Sequence, residues 1–312
     1  MPKTKLTCVT RAQGNNRALR DFEIGMPDFE FAFEEVNPLP KAFRRMVRDG
    51  AWDVSEMALA TYICARAHGS KLTALPIFLV RDFHHKSMVR SLAGDVAGPT
   101  DLPGREVGVN RGYTVTTGVW ARAILADEYG VDPGDVTWMR SGEEHVAGYV
   151  PPANVGDLES GTLEEHLADG RLGAAVGLAE SSGCVPLIED AFGAGVTALK
   201  GRGLYPINHL VVVRDDVLKT YPEVAVQVFD AFAASKRIYV NNLKTGRIGA
   251  LSPLDKVHLA ALEVMDDPLP YGVAPNLAVL EMLMDHAVAQ GIVGVAQDIA
   301  GMFAPAVREM TG

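Results

Sequence analysis

The chain has 312 residues, of which 48% are hydrophobic, and its formal net charge at pH 7 is −10. A chain of this length and apolar content can bury a large core, and its length favours two domains. The acidic residues are spread along the sequence without an acidic tail, and no basic block occurs, so the composition argues against nucleic acid as a partner.

The cysteine pattern and the N-terminus also exclude several classes of protein. Cys8, Cys64 and Cys184 form no Cys-x-x-Cys pair, so neither a disulfide framework nor a zinc ribbon is predicted. The first residues contain no apolar run typical of a signal peptide, and no segment approaches the roughly 18 continuous apolar residues of a membrane span. We therefore expect a cytoplasmic protein without a membrane partner.

The predicted elements of the first part of the chain alternate between strands and helices. Apolar residues with period two predict strands, those with a period of about 3.6 predict helices, and glycine marks helix ends. In chain order these elements are a strand at Leu6–Thr10, a strand at Phe29–Phe33, a helix at Lys41–Asp49, a short strand at Ala51–Val54 and a helix at Ala58–Ala67. Glu56 lies in the predicted connection between the last two.

Two further strands, Leu75–Val80 and Ser87–Val89, flank a segment that concentrates basic and protonatable groups, Arg81–Lys86. It contains His84 and His85. Adjacent residues on a strand point to opposite faces, so at most one of these histidines would face a ligand. The following residues, 94–104, are rich in Gly, Pro and Asp, and we interpret them as the crossing between two domains.

The stretch Val107–Leu125 has the pattern of a strand, a glycine-containing turn and the N-terminus of a helix. Backbone N–H groups at a helix N-terminus attract anions. The turn adds a guanidinium and several hydroxyl groups, namely those of Arg111, Tyr113, Thr114, Thr116 and Thr117. We predict an anion-binding turn, although threonines that only cap the helix would give the same pattern.

A second strand–helix set follows. It comprises a strand at Val136–Met139, a polar loop at Arg140–His145, a helix at Thr162–Asp169 and a strand at Leu172–Leu178. Thr162 and Glu165 have the spacing of a capping box. His145 follows two glutamates in the loop, a position that suits either a solvated residue or one that faces a ligand.

A near-continuous apolar run, Tyr205–Val213, is typical of a buried parallel strand and contains His209. A histidine in such a run is either a core residue with satisfied hydrogen bonds or a functional group. The remaining predicted elements are helices at Asp215–Lys219, Pro222–Asn241, Leu254–Val264, Leu277–Ala289 and Ile292–Met302.

Two strand–helix sets and a late return strand predict an α/β fold of two lobes with a ligand cleft between them. The first lobe comprises residues 1–96 and 206–312, and the second comprises residues 97–205. Ligands of open α/β sheets collect beyond the carboxyl ends of the strands. The loops predicted there carry four basic side chains and four histidines, a donor set that suits a small anionic ligand.

Several other chemistries lack their motifs. Neither G-x-G-x-x-G nor G-x-x-x-x-G-K-[ST] occurs, so nucleotide cofactors are not predicted. No H-E-x-x-H or H-x₃₋₅-H spacing appears, and the sequence therefore predicts no metal site. The segment Ser181-Ser-Gly-Cys184 is not a G-x-S-x-G nucleophile elbow.

The sequence resembles the 4,5-dihydroxyphthalate decarboxylase family. The motifs that carry this resemblance are Phe43-Arg-Arg-Met-Val-Arg48, Asp53-Val-Ser-Glu-Met57, Arg81-x-Phe-x-His85, Val107–Trp120, Ser141-Gly-Glu-Glu-His145, Tyr205-Pro-Ile-Asn-His209 and Pro268-Leu-Pro-Tyr-Gly272. The resemblance implies a fold like that of type II periplasmic binding proteins. It also implies conversion of 4,5-dihydroxyphthalate into 3,4-dihydroxybenzoate and carbon dioxide without an organic cofactor.

We assign roles to the candidate residues on the basis of this resemblance. His85 and His209 are the expected proton-transfer pair, and Glu56 or His145 orients one of them or supplies its counter-charge. His85 is preferred over His84 because it matches the family's Arg-x-Phe-x-His pattern. The expected substrate-binding residues are Arg81, Arg111, Tyr113, Thr114, Thr116 and Thr117.

Two other functions remain compatible with the sequence. The same fold and anion-binding turn would serve a solute-binding protein for a small carboxylate that performs no chemistry. An enzyme acting on another hydroxylated aromatic acid would use the same residues with different contacts to the ring. A small aromatic carboxylate is the expected partner in the favoured interpretation, and a homo-oligomer is compatible with it.

Overall fold

The computed structural model describes residues 2–312, which form eleven β-strands and ten α-helices. The strands are β1 Thr4–Val9, β2 Phe29–Glu34, β3 Val54–Ala58, β4 Leu72–Arg81, β5 Met88–Ser91, β6 Glu106–Val109, β7 Thr137–Arg140, β8 Val155–Asp157, β9 Ala174–Val176, β10 Cys184–Pro186 and β11 Ile207–Arg214. The helices are α1 Arg17–Arg20, α2 Pro40–Asp49, α3 Leu59–Ala67, α4 Thr116–Tyr129, α5 Leu163–Ala168, α6 Ala191–Arg202, α7 Asp215–Thr220, α8 Val224–Lys244, α9 Pro253–Leu262 and α10 Leu277–Ala289.

The chain divides into two compact units. The first comprises the chain up to Asp82 together with Ile207–Glu281 and Gln297–Gly312, and the second comprises Phe83–Pro206 and Met282–Ala296. Strand β5 pairs with β9 and β10 and therefore lies in the second unit, whereas the sequence prediction assigned all residues up to 96 to the first lobe. Within the described residues, no helix is both long and apolar enough to cross a membrane.

The first unit contains a five-stranded sheet with the order β2-β1-β3-β11-β4. Strands β1, β2 and β3 are parallel, and β11 lies between β3 and β4. Strand β4 and the middle of β11 are almost fully buried, which explains their continuous apolar sequences. The prediction that β11 is parallel is wrong, because it runs antiparallel to both neighbours. Burial on both faces produces the same apolar run in either direction.

Helices of the first unit follow the predicted signals closely. Helix α2 begins with Pro40 at its first position and ends at Gly50, whose φ of 57° is left-handed. Helix α8 buries Val224, Val228 and Phe232, which recur at helical spacing.

The predicted helix at Ile292–Met302 is wrong, because only a 3₁₀ turn at its end forms. Ile292 is buried in the turn that follows α10 and not on a helix.

The second unit contains a six-stranded sheet with the order β10-β5-β9-β6-β7-β8. Strands β9, β6, β7 and β8 are parallel, so the loops that follow β6 and β7 leave the same edge of the sheet. Helix α5 has the predicted capping box, in which Thr162 and Glu165 exchange hydrogen bonds. The sequence did not predict α6, which contains three glycines. One of them, Gly195, allows close packing, since a Cβ there would lie 2.5 Å from the Phe83 side chain.

Candidate active site

A histidine–glutamate pair lies in the first unit, on the adjacent strands β3 and β11. In their antiparallel register His209 is opposite Ala58 and Val211 is opposite Glu56, so His209 and Glu56 are diagonal neighbours on one face. The imidazole Nδ1 lies 2.6 Å from a carboxylate oxygen of Glu56. The pairing of β11 with β4 is irregular on both sides of His209, and bulges of this kind re-aim a side chain. Glu56 was predicted in a connection, but it lies within β3.

Glu56 is a buried carboxylate that accepts several hydrogen bonds. The hydroxyl of Thr10 donates to it at 2.7 Å, the backbone N–H of Arg11 at 3.2 Å and the amide of Gln13 at 3.4 Å. Burial raises the pKa of Glu56, but the hydrogen bond and charge of His209, the Arg11 guanidinium and the Thr10 hydroxyl together hold that pKa below its usual value. The carboxylate is therefore ionised at neutral pH.

The His209 ring is held at a fixed angle and remains partly accessible. Its side chain is 12% exposed, and the ring of Phe43 packs edge-on against it with centroids 5.0 Å apart. Because Nδ1 faces an ionised carboxylate, it carries a proton, and Nε2 is the nitrogen suited to exchange a proton with a ligand. A histidine oriented by a buried carboxylate is an arrangement typical of general acid–base catalysis.

Arg11 stands beside this pair and was not predicted. Its guanidinium Nε lies 3.9 Å from Glu56, and its side chain is 44% exposed. The parallel register that places Val9 beside Ser55 brings Thr10 and Arg11, the residues after β1, to Glu56. The rule that ligand-binding residues follow the carboxyl ends of strands would have found them, had it been applied to β1.

Arg81, predicted to bind substrate, is buried at the end of β4 in the first unit. Its guanidinium donates to the side-chain oxygen of Asn276. The amide nitrogen of Asn276 in turn donates to the carbonyl oxygens of Pro270 and Gly272 at 2.9 and 2.7 Å. The structure therefore places Arg81 where it braces a loop of the protein itself.

His85 lies in the second unit, in a 3₁₀ turn at His84–Ser87, and is buried. Its Nε2 is 2.9 Å from Glu128, near the C-terminal end of α4, and its Nδ1 has no hydrogen-bond partner among residues 2–312. Thr116 is the first residue of the same helix. Twelve residues of helix separate Thr116 from Glu128 by about 18 Å. The structure thus does not bring His85 to the predicted anion-binding turn.

That turn binds a carboxylate of the protein itself. The backbone N–H groups of Tyr113 and Thr114 donate to Glu144 at 2.6 and 3.1 Å, and the Thr114 hydroxyl donates to it at 2.7 Å. These donors were predicted to hold substrate, but the buried Glu144 already engages them. Its neighbour His145 is also buried.

The other predicted residues of the turn differ in exposure. Thr116 is buried and Thr117 is half-buried in the first turn of α4. Arg111 is exposed and has a left-handed φ of 73°. Among residues 2–312, no three His, Cys, Asp or Glu side chains are arranged to hold a metal ion.

Comparison with known proteins relates the whole chain to one group of enzymes. It is 28% identical to a 4,5-dihydroxyphthalate decarboxylase of Comamonas testosteroni, over an alignment that covers 99% of each chain. A protein of the same name from Pseudomonas putida is 32% identical over 170 residues, which cover 52% of this chain and 65% of that protein. The chain is similar to 4,5-dihydroxyphthalate decarboxylases. This similarity confirms the resemblance seen in the motifs, and no protein-family model matches the sequence.

Solved structures establish the fold. The periplasmic aliphatic sulphonate binding protein of Escherichia coli aligns with a TM-score of 0.54 at 12% identity, over 97% of this chain and 98% of that chain. A Candida albicans protein described as having the generic periplasmic binding protein fold aligns with a TM-score of 0.52 at 13% identity, over 96% and 93% of the two chains. The predicted periplasmic-binding-protein-like fold is confirmed.

Proposed function

We propose that this protein is a carboxy-lyase that converts 4,5-dihydroxyphthalate into 3,4-dihydroxybenzoate and carbon dioxide without an organic cofactor. The observation that carries the proposal is the pairing of His209 with the buried, ionised Glu56 at 2.6 Å. The similarity to proteins named 4,5-dihydroxyphthalate decarboxylase supports the choice of reaction.

The substrate is chemically prepared for this reaction, because each of its carboxylates is para to a hydroxyl group. Loss of a phenolic proton lets electrons move into the ring, and the ring carbon that bears the departing carboxylate then takes up a proton. The bond between that carbon and the carboxylate breaks, its electron pair restores the aromatic ring, and carbon dioxide leaves. The net reaction consumes one proton, so a positioned proton donor is required.

His209 is the proposed donor and acceptor of these protons. As an imidazolium it would protonate the ring carbon through Nε2, and Glu56 would stabilise the positive charge before transfer. A positioned general acid or base contributes about 10²–10⁴ in rate. We assign this role to His209 and not to His85, since the His85 ring is 1% exposed and its Nε2 is bound to Glu128.

Arg11 is the proposed anchor for the carboxylate that the product retains. Its guanidinium is partly exposed beside Glu56, and a planar guanidinium binds a carboxylate through two parallel hydrogen bonds. Such an anchor would hold the ring in one orientation relative to His209. In the second unit, Arg111, Thr116 and Thr117 remain the proposed carboxylate-binding residues.

A second candidate function is that of a solute-binding protein for a small carboxylate. The fold favours it, because solved structures that the chain resembles include sulphonate-binding proteins. Such a protein would bind an aromatic dicarboxylate without turnover.

One experiment separates these functions. The purified protein is incubated with 4,5-dihydroxyphthalate, and carbon dioxide and 3,4-dihydroxybenzoate are measured together, with phthalate as the control substrate that cannot form a phenolate. Release of both products from 4,5-dihydroxyphthalate alone supports the decarboxylase. Thermal stabilisation without turnover supports the solute-binding protein, and neither effect would exclude this substrate.

A further inference from the structure

The turn that carries Arg111 is held in place by a carboxylate that belongs to the protein. We infer that Glu144 is the positioning residue of an arginine anchor: it fixes the turn Gly112–Thr114 so that Arg111 can bind a carboxylate of the ligand. This inference rests on the proposed function for the identity of the ligand, an aromatic carboxylate. Beyond that function, the inference identifies Glu144 as a residue that affects the affinity for the carboxylate.

Two neighbouring loops are joined by these contacts. Strands β6 and β7 are parallel and adjacent, so the loops after them lie side by side. The second loop supplies the Ser141 hydroxyl, which accepts from the backbone N–H of Arg111 at 2.9 Å, and Glu144, which accepts from Tyr113 and Thr114. The backbone on both sides of Gly112 is thereby fixed.

The space around Gly112 shows how closely the carboxylate fits. A Cβ at this position would lie 2.5 Å from one oxygen of Glu144 and 2.8 Å from its carboxyl carbon. A side chain here would therefore displace the carboxylate. Glu144 also accepts a hydrogen bond from the Arg140 guanidinium at 3.3 Å, and Arg140 itself pairs with Asp157.

A buried arginine holds the same turn from another direction. Arg122 donates from Nη2 to the carbonyl oxygen of Tyr113 at 2.7 Å, and its guanidinium carbon lies 3.7 Å from the centre of the Tyr113 ring. Within the described part of the chain, its buried Nη1 has no hydrogen-bond partner. This atom lies 3.1 Å from where a Cβ on Gly118, in the first turn of α4, would be. One N–H group of the buried Arg122 thus lies beside the first turn of α4.

Arg111 is the residue that this arrangement presents. Its φ of 73° is unusual for a residue with a Cβ, and the contacts on each side of Gly112 maintain that conformation. Arg111 is an exposed residue, although partial burial lowers the pKa of its guanidinium, and no hydrogen bond or ion pair engages that group within residues 2–312. The N–H groups of Tyr113 and Thr114 already donate to Glu144, whereas the Arg111 guanidinium can donate to a ligand. A guanidinium favours a planar carboxylate, which it can bind bidentately.

The test is calorimetric titration with phthalate, which has both carboxylates and no hydroxyl, and with catechol, which has both hydroxyls and no carboxylate. Replacing Arg111 with Ala should weaken phthalate binding by about 10–100-fold, because a charged hydrogen bond is lost. Glu144→Gln leaves an amide N–H facing a backbone N–H, and it should weaken phthalate binding by about tenfold. Catechol affinity should stay unchanged in both variants. Glu143→Gln, which removes the same charge from the adjacent exposed residue, is the control and should bind phthalate as the wild type does.

The double variant separates positioning from a general structural effect. If Glu144 acts through Arg111, then Glu144→Gln should weaken phthalate binding no further once Arg111 is Ala. Equal effects of Glu144→Gln with and without Arg111, or an equal loss of catechol binding, would overturn the inference. If Glu144→Gln fails to fold, as judged by thermal unfolding, Ser141→Ala takes its place and should weaken phthalate binding about threefold, again only when Arg111 is present.

This experiment does not depend on turnover, because neither phthalate nor catechol is expected to react. A protein that binds phthalate through Arg111 but releases no carbon dioxide from 4,5-dihydroxyphthalate would refute the proposed decarboxylase and retain the anchor. A wild-type protein that does not bind phthalate would refute the anchor whatever its turnover.

Discussion

A histidine–glutamate pair lies in each unit, and burial is distributed oppositely in the two pairs. In the first unit the Glu56 carboxylate is fully buried, whereas the His209 side chain is 12% exposed. In the second unit the His85 side chain is 1% exposed, whereas the Glu128 side chain is 20% exposed. The distances between the paired atoms are similar, at 2.6 and 2.9 Å.

This difference separates a pair suited to proton transfer from a pair suited to structure. A buried carboxylate whose other contacts are all donors keeps its charge, and an accessible imidazole beside it can exchange protons with a ligand. Burial raises the pKa of Glu128, but His85 and Arg202 donate to it and hold that pKa below its usual value. Glu128 thus forms an ion pair with Arg202. The enclosed His85 ring, through its hydrogen bond to Glu128, links the turn at His84–Ser87 to α4.

Replacing His209 with glutamine, and separately His85, should distinguish the two pairs by a large difference in turnover. His209→Gln should lower kcat for decarboxylation of 4,5-dihydroxyphthalate by about 10²–10⁴-fold, since the proton donor is lost. His85→Gln is the matched variant, and its amide can still reach Glu128, so kcat should stay near the wild-type value. Steady-state kinetics measures kcat of both variants. An equal loss of kcat in the two would show that the pairs do not differ in their role in proton transfer.

A third histidine extends the comparison to an imidazole that burial keeps neutral. The Tyr239 hydroxyl lies 2.5 Å from Asp255 and 2.7 Å from Nδ1 of His258. Burial lowers the pKa of His258 to about 4, outweighing the opposing effect of Asp255. An unfolded histidine has a pKa of about 6.5, so the unfolded chain takes up a proton first as pH falls.

The free energy of unfolding should therefore decrease as pH falls through this interval. The contribution of neutral His258 is fully present above pH 6.5 and is lost as pH falls towards 4, by about 3 kcal/mol in the free energy of unfolding. His258→Asn should flatten the profile over this interval. Urea unfolding at a series of pH values measures it, and a variant whose profile parallels that of the wild type would show that His258 does not cause the dependence.

Loss of the arginine that pairs with Glu128 should change stability only slightly. Arg202 bridges Glu128 at 2.6 Å and Asp127 at 2.9 Å, with 31% of its side chain exposed. Arg202→Ala should lower the free energy of unfolding by about 0.5–1 kcal/mol, because partly exposed ion pairs are screened by water. Arg171→Ala, which breaks the more exposed pair with Asp169, is the control and should change it less. A larger loss in the control would show that the more buried of the two ion pairs does not contribute more to the free energy of unfolding.

The sequence predicted those features that depend on local pattern. The capping box at Thr162, the stop of α2 at Gly50 and the bounds of α10 follow from residues within a few positions of each other. The apolar run containing His209 predicted a buried strand, but its direction depends on its neighbours, β3 and β4. Spacing along the chain carries no information about that pairing.

In the candidate site, the sequence identified individual residues but not the contacts between them. Glu56 and His209 were both named, yet their direct contact depends on the register of two strands 153 residues apart in sequence. Glu144 was seen only as one acidic loop residue, because its role depends on N–H groups of another loop. His85 matched a motif, and the structure shows that a motif histidine can have its ring enclosed by the core.

Chemical rescue shows whether the His209 imidazole is the proton donor. His209→Ala leaves a space the size of an imidazole beside Glu56, and carbon dioxide release from 4,5-dihydroxyphthalate is measured with and without added imidazole. We expect turnover of His209→Ala to fall by at least about 10²-fold and to be partly restored by imidazole, whereas imidazole should have no effect on His85→Ala. Wild-type turnover in His209→Ala, or a loss of turnover that imidazole does not restore, would contradict the assignment of proton transfer to His209.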